Sequence, residues 1–540
     1  MWTRGWRDDV WRDLERSSPL YDVIIIGGGI TGAGILAEAS RAGMRALLVE
    51  ARDFASGTSS RSTKLVHGGL RYLRQAQIRL TRESVRERER LLREAAGLVM
   101  PLGFYLTSFK ADSMPTWMLG AGLAIYDVLG AKWAHERHNA ESLVENEPSL
   151  EGAPLKGGYH YYDAQTDDAR LVVRVLREAV RRGGTALNYA RVETLLRDAR
   201  GTVRGVVLRD VAGERTAEVQ ARAVVNATGV WADDMRVKLG EKRRLRAIRG
   251  SHLVFPAARF PLNEAISLMH PRDGRAVFAL PWEGVTLLGT TDVDHGADLE
   301  TEPAMSSAEA EYLMEAAHLA FPSLGLELGD VRSTYAGVRS VINTGASDPS
   351  KESREHALWS ESGLLTVTGG KLTTFRLMAR EALDALKSTV PASMGGEGAG
   401  ATRESDGTSR ARTVRILDDA PSVDDARLDS ATQLRLAGRH GIEATDVIAC
   451  AGEDGVDRIG DTPALWSELR WAARSEGVVH LDDLLLRRVR LGLLLGEETL
   501  HLMDRIRKVA QPELGWDDAR WEREERAYRD VWKRAYGNTF

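Results

Sequence analysis

Tyr21-Asp22-Val23-Ile24-Ile25-Ile26-Gly27-Gly28-Gly29-Ile30-Thr31-Gly32-Ala33-Gly34 decides the fold. Val23–Ile26 is a continuous β-branched apolar run, the pattern of a strand buried on both faces of a parallel sheet. The glycines follow at once, and Ile30–Ala42 reads as a helix rich in small residues. A second strand, Arg45–Val49, ends at Glu50, which completes a βαβ unit. Each glycine of Gly27-x-Gly29-x-x-Gly32 has a physical task. Gly27 permits the tight turn, Gly29 lets backbone approach a pyrophosphate, and Gly32 lets the helix lie close to the strand. Phosphates then sit at the helix N-terminus, beside Ile30 and Thr31, where free N–H groups and the dipole favour negative charge. Glu50 lies near the ~20-residue distance at which an acidic residue meets a ribose. Its carboxylate accepts ribose hydroxyls and repels a 2′-phosphate, which argues against NADP.

Outward from this unit, the chain of 540 residues suggests about three domains, at ~150 residues each. Apolar residues make up 43% and charged residues 28%, an ordinary globular balance. The net charge of −5 leaves no basic footprint for nucleic acid. Arg79–Arg93 alternates arginine with glutamate and reads as a solvated helix face with i,i+4 ion pairs. The single cysteine, Cys450, excludes a disulfide framework and a cysteine zinc site and fits a reducing compartment. His135-Glu136-Arg137-His138 has chelating spacing but lacks a third ligand, so no metal is expected.

No run reaches the ~18–20 apolar residues of a spanning helix. Pro115–Gly130 comes nearest and reads as a buried helix or a membrane-surface element. In residues 1–20, Trp2, Trp6, Val10 and Leu14 recur at helical spacing. That stripe fits an interfacial helix or one packed on the protein's own surface.

Further strands are expected at Ala186–Val192, Val203–Arg209, Ala223–Asn226, Ser251–Phe255, Val277–Leu280, Thr286–Leu288 and Leu364–Thr368, with helices at Ser307–Ala320 and Thr373–Ser388. Residues 391–412 are rich in Gly and Ser and read as a flexible linker. The remainder, 413–540, reads as a helical domain. The dinucleotide-binding domain is expected to be discontinuous, from 21–110, 150–245 and 332–390, with a substrate-facing cap from 111–149 and 246–331.

Three segments favour FAD over NAD. Gly57-Thr58-Ser59-Ser60 supplies hydroxyls and backbone donors for more phosphate and ribitol oxygens. Asn226-Ala227-Thr228-Gly229 closes a later strand. Gly369-Gly370-Lys371-Leu372-Thr373-Thr374 is a late glycine turn into a helix, able to present N–H groups to a flavin. It is not a P-loop, because Leu365 stands where that motif needs glycine.

On these residues the chain resembles the FAD-dependent, respiratory glycerol-3-phosphate dehydrogenases. The resemblance is carried by Asp22–Gly34, Thr58–Leu73 (TSSRSTKLVHGGLRYL), Asp167–Leu171, Val225–Trp231, Arg249–His252, Leu288–Val293, Tyr335–Arg339 and Gly369–Arg376. They lie in order from about 20 to 385, and Asp482–Leu491 resembles the family's helical domain.

The resemblance implies an α/β fold. A Rossmann-like FAD-binding domain of the glutathione-reductase/D-amino-acid-oxidase type would be joined by an antiparallel β-sheet substrate domain and a helical C-terminal domain. It implies oxidation of sn-glycerol 3-phosphate to dihydroxyacetone phosphate, with hydride passing from C2 to flavin N5. Electrons would go on to a membrane quinone, or to oxygen in an oxidase. It also implies a homodimer in the cytoplasm, held peripherally at the cytoplasmic membrane. Arg71 and Lys371 match the positions that hold the substrate phosphate, with Tyr72 beside them and Thr291 near substrate oxygens. His252 and Arg339 match the groups at the reacting carbon, and which of them manages the proton stays open. Cofactor contacts are implied at Lys64, Leu65, His67, Gly68, Gly69, Val192, Gly337 and Arg339, besides the residues of the turns above.

Overall fold

The strand Leu20–Ile26 has no exposed face in its apolar run, and this organises the first half of the molecule. Val23 and Ile25 pack with the helices Ile30–Arg41, Asp168–Arg181 and Phe375–Leu386. Ile24 and Ile26 face the opposite way, into a core shared with Trp11 and Leu14 of the N-terminal helix Trp6–Ser17. A computed structural model describes residues 2–17, 19–69, 78–110, 112, 116–130, 135–345, 355–387, 415–452 and 455–540.

Among the described residues there are two sheets. The first has eight strands, in the order Ala357–Glu361, Leu364–Thr368, Thr216–Asn226, Leu20–Ile26, Ala46–Val49 and Thr185–Leu187, with Val203–Asp210 and Ala190–Arg197 continuing from Thr216–Asn226. The strands flanking Leu20–Ile26 are parallel to it, as the apolar run requires. The second has nine strands and is built around Leu245–Pro256, which pairs with Val285–Gly289 on one side and Ser333–Ile342 on the other. The helical residues 430–535 pack on this second sheet, where Trp282, Val285 and Tyr335 share a core with Trp466, Leu484, Trp521 and Trp532.

Four readings need correction. The second sheet is mixed, because Ala265–Met269 runs parallel to Val99–Phe109. Residues 99–109, 155–166 and 333–342 fall within the ranges expected for the dinucleotide-binding half, but they form strands whose hydrogen bonds place them in the second sheet. The single strand expected over Ala186–Val192 is two, because Tyr189 takes a left-handed conformation (φ 52°) and the chain turns there to meet Glu50 and Arg52. The helix Ile78–Glu94 has the expected pairs Arg79–Glu83 and Arg90–Glu94, yet Arg88 is buried against Asp163 and Tyr126. Of the two readings left open for the N-terminal stripe, the structure shows the second, with the stripe packed on the protein itself. Trp2, Trp11 and Leu14 are buried, and Trp2 stacks on Phe54 at 4.8 Å. The linker expected at 391–412 lies outside the described residues. No helix among the described residues is long and apolar enough to cross a membrane.

Candidate active site

The glycine turn sits where the parallel strands end. Gly27 has φ +114°, and a Cβ there would meet the Ala227 carbonyl oxygen at 2.5 Å, so the turn and Ala227-Thr228-Gly229 are in contact. A Cβ on Gly32 would strike the Gly27 carbonyl oxygen at 1.9 Å, which explains glycine at the point where helix meets strand. The Gly28 N–H donates to Glu50 Oε2 (2.7 Å), and the Arg52 N–H to Oε1 (2.8 Å). Burial raises the Glu50 carboxyl above its ordinary range, and these two N–H donors oppose that rise. The N-cap of the helix Ile30–Arg41 is Gly29, which brings no side chain over the positive end, where an anion is favoured. Ser59 Oγ accepts from the Ile30 N–H at 3.0 Å, which ties the loop Thr58–Gly69 to the turn. These features fit a dinucleotide pyrophosphate at the turn and a ribose at Glu50.

The loop Thr58–Gly69 lies along strand Ser333–Ile342. Thr58 donates to the Val338 carbonyl, and Tyr335 Oη donates to the Ser62 carbonyl at 2.9 Å. Register pairs His252 with Tyr335, Gly250 with Gly337 and Ile248 with Arg339, so all six point to one face of the sheet. A Cβ on Gly337 would meet the Arg61 carbonyl oxygen at 2.5 Å, and one on Gly250 would meet the Arg339 guanidinium at 2.1 Å. The two opposed glycines therefore let the loop descend onto the sheet and let Arg339 fold back toward His252.

His252 is buried and clamped. Its ring stacks on Tyr335 (4.6 Å, 6°), and a Cβ on Gly289 would lie 2.3 Å from its Cδ2. Nε2 meets Thr63 Oγ1 at 3.0 Å, while Nδ1 has no hydrogen-bond partner among the described residues. Burial, then the charges of Lys64 and Arg339, hold the imidazole pKa well below its usual value, so it is neutral at pH 7. Arg339 donates to the Thr291 carbonyl (3.3 Å) and lies 3.7 Å from Asp292.

The late turn closes the site from the other side. Gly369 and Gly370 have φ +72° and +74°, and Thr373 Oγ1 donates to the His67 carbonyl at 3.3 Å. Lys371 Nζ is 3.5 Å from Ser84 Oγ. The glycine turn, the loop Thr58–Gly69, the strand pair and Gly369–Thr374 thus form one assembly. Arg71 and Tyr72 lie outside the described residues.

Some expected contacts are placed differently. The Lys64 side chain is buried on Asp168 (2.9 Å) and the Ser60 carbonyl (2.7 Å), with its pKa lowered to about 8 chiefly by burial, so its ammonium braces the loop. The Thr291 hydroxyl donates to Glu309 (2.7 Å) and accepts from the Ser251 N–H (2.9 Å), so the strand pair engages it and only its carbonyl faces Arg339. The Val192 side chain belongs to the core with Trp11 and Ile24. Leu65 is buried in the core of the second sheet, and the Gly68 N–H donates to Asp163 at 3.1 Å. Gly69 has φ +83°.

Four residues were missed. Thr63 and Asp168 sit inside motifs already noted, where a hydroxyl beside a histidine or a carboxylate opposite a lysine becomes visible only with the fold. Glu309 gathers Arg249, Ser251 and Thr291 around one buried carboxylate. Arg490 reaches from the helical domain to Asp168 and the Ser60 carbonyl. No local signal marks either.

Residues 22–382 match the family model of FAD dependent oxidoreductases, and residues 395–521 match the C-terminal domain of alpha-glycerophosphate oxidase. The aerobic glycerol-3-phosphate dehydrogenase of Staphylococcus saprophyticus is 34% identical over 525 residues, covering 94% of this chain and 93% of that protein. The chain belongs to the FAD-dependent glycerol-3-phosphate dehydrogenase family. The Bacillus subtilis enzyme of the same description is 40% identical over 390 residues, covering 71% of this chain and 69% of that one. The solved glycerol-3-phosphate dehydrogenase of Bacillus halodurans, complexed with FAD, superposes with TM-score 0.77 at 30% identity, covering 100% and 99% of the two chains. FAD is the cofactor of this family, and the helix that opens behind Gly29, with Glu50 beyond it, suits such a dinucleotide.

Proposed function

We propose that the protein oxidises sn-glycerol 3-phosphate at C2 to dihydroxyacetone phosphate and delivers the electrons to a membrane quinone. The observation that carries this is the shared sheet face on which a neutral, buried His252 lies beside the guanidinium of Arg339. An alcohol oxidation needs a group that orients the hydroxyl and holds its developing negative charge, and another that takes the proton. Arg339 suits the first task and His252 the second. Lys371, with Arg71 and Tyr72, is the proposed phosphate holder, since a dianion needs fixed cations. FAD, when bound, supplies the hydride acceptor. Glu50, the glycine turn, the loop Thr58–Gly69 and Gly369–Thr374 are the residues proposed to hold it.

The quinone reading is supported by the helix Thr116–Gly130. Its inner face carries Tyr126, whose hydroxyl lies where a Gly68 Cβ would be, at 2.2 Å. Its outer face exposes Trp117 (67%), Met118 (46%) and Ile125 (50%). One helix diameter, about 10 Å, therefore separates an apolar surface from the loop at His67-Gly68. An apolar acceptor approaching from a bilayer would find the flavin side of the protein there, through peripheral contact.

The test is anaerobic titration of the holoenzyme with glycerol 3-phosphate, followed by mixing with a quinone in vesicles. Bleaching of the flavin and recovery of its colour with quinone are expected. No bleaching would sink the substrate reading. The C-terminal match to an alpha-glycerophosphate oxidase domain favours a second reading, oxygen as acceptor. Stoichiometric peroxide in air, with no quinone reduction, would establish it. Lys371→Ala should raise KM for glycerol 3-phosphate at least about tenfold, in line with loss of a charge-assisted contact. An unchanged KM would remove Lys371 from the phosphate site.

A further inference from the structure

His252 is cut off from the cleft except along one line. Tyr335 covers one face of its ring, Gly289 approaches the ring so closely that no Cβ fits between, and Nδ1 is enclosed without a partner among the described residues. The remaining polar atom, Nε2, meets Thr63 Oγ1 at 3.0 Å. Thr63 is half-buried, whereas His252 is 2% exposed, so the hydroxyl stands between the imidazole and any ligand over the loop.

The hydroxyl is also held in place from both sides. Ser62 gives its N–H (2.9 Å) and Oγ–H (2.8 Å) to Asp168, and Lys64 Nζ bonds the same carboxylate (2.9 Å). Arg490 binds that carboxylate as well, from the helical domain. A loop residue flanked by two such anchors keeps its position, which a proton relay requires. The ring cannot swing to meet a substrate, because stacking and the Gly289 backbone fix its plane.

We propose that Thr63 is a catalytic relay residue that carries the proton of the substrate hydroxyl to His252. This rests on the reading of His252 as the proton acceptor in glycerol 3-phosphate oxidation. As the hydride leaves C2 for the flavin, the C2 hydroxyl proton passes to Thr63 Oγ1. The proton already on Oγ1 passes to Nε2, and the C2–O bond becomes the carbonyl. Two electrons leave with the hydride, the hydroxyl of Thr63 is regenerated, and the imidazole ends as imidazolium. Lys64 and Arg339 face that ring as cations, and the Tyr335 ring covers it. The added charge is therefore unstable there, and the proton returns through Thr63 once product leaves.

Thr63→Val removes the hydroxyl at nearly constant volume, and Thr63→Ser keeps it. Thr63→Ala serves as a second hydroxyl-free variant in case valine disturbs the loop. With glycerol 3-phosphate and a soluble dye, Thr63→Val should lower kcat by about 10²-fold or more, within the range for proton-transfer catalysis, with KM within about threefold. Thr63→Ser should recover most of the rate. The double variant Thr63→Val/His252→Asn should be no slower than His252→Asn, because the two groups act in series. Independently of turnover, ¹⁵N-histidine NMR of the protein without substrate should show the His252 Nε2 resonance moved by Thr63→Val and restored by Thr63→Ser. Wild-type kcat in Thr63→Val, or losses that multiply in the double variant, would overturn the relay. Wild-type kcat in His252→Asn would instead overturn the underlying reading of His252.

Discussion

Two helices that carry tryptophan, each read as a buried or an interfacial element, end in opposite places. The N-terminal helix, with Leu14 of the stripe and Trp11 beside it fully buried, is part of the core beneath the first sheet. The helix Thr116–Gly130 leaves Trp117 67% exposed, and Ile125 lies two turns further along the same outer face. The difference lies in what each has to cover. The N-terminal helix roofs the second face of a parallel sheet, which must be closed on both sides. The helix Thr116–Gly130 lies over a loop and sheet edge whose inner partners are already met by Leu123 and Tyr126. Amphipathicity alone distinguishes an apolar face from a polar one and says nothing of what will lie against it.

The comparison can be broken most forcefully at Trp11. Trp11→Ala should cost about 3–5 kcal/mol of stability, the scale for emptying a buried indole site. Denaturant unfolding reads the loss, and the fraction that stays folded should bind phospholipid vesicles as the parent does. A small stability cost with weakened vesicle binding would reverse the assignment of the two segments. The converse change is Trp117→Asp with Ile125→Asp. Both side chains are exposed, so stability should move by no more than about 0.5 kcal/mol per site. Vesicle co-sedimentation should weaken at least about tenfold, and quinone reduction in vesicles should fall while dye reduction persists. If vesicle binding is unaffected, this helix is not the membrane contact.

The same contrast explains how far the sequence could be read. The βαβ unit was legible because its requirements are local: Gly27, Gly32 and Glu50 act on their near neighbours. Strands such as Val99–Phe109 and Ser333–Ile342 were not among those expected, and a strand's local pattern does not in any case name its partner. The pairing of Arg339 with Ile248 joins residues far apart in the chain. Tyr189 broke an expected strand through a backbone conformation that tyrosine rarely takes. Within the site, His252 and Arg339 were named from motifs, and their shared sheet face emerged only from register. Thr63 lies in the Thr58–Leu73 stretch, but the imidazole it meets at 3.0 Å comes from a distant strand. Asp168 and Arg490 are ionic partners across domains, Glu309 meets Arg249 sixty residues away, and charge alone does not announce which carboxylate meets which cation.

A smaller effect tests how the N-terminal stripe is moored. Trp2 bridges to Glu476, and Arg7 donates to the carbonyls of Asn188 (3.2 Å) and Tyr189 (3.4 Å). The Tyr189 ring meets His480 edge-on at 4.9 Å, and His480 Nδ1 lies 3.0 Å from Glu524. Burial alone would lower the His480 pKa, but the Glu524 hydrogen bond and the nearby Asp483 carboxylate outweigh it and raise the pKa to about 9. A folded pKa above the unfolded value near ~6.5 means that the protonated ring stabilises the fold. That contribution is complete below the unfolded pKa and is lost as pH rises through 9. The ring is 40% exposed, so screening keeps it below about 1 kcal/mol. The gap in melting temperature between the parent and His480→Asn should therefore narrow from pH 6 to pH 10. Vesicle binding through Trp117 and Ile125, which carry no titratable group, should stay level over the same range. A gap that stays constant with pH would mean that His480 packs as a neutral ring and that charge has no part in holding this corner.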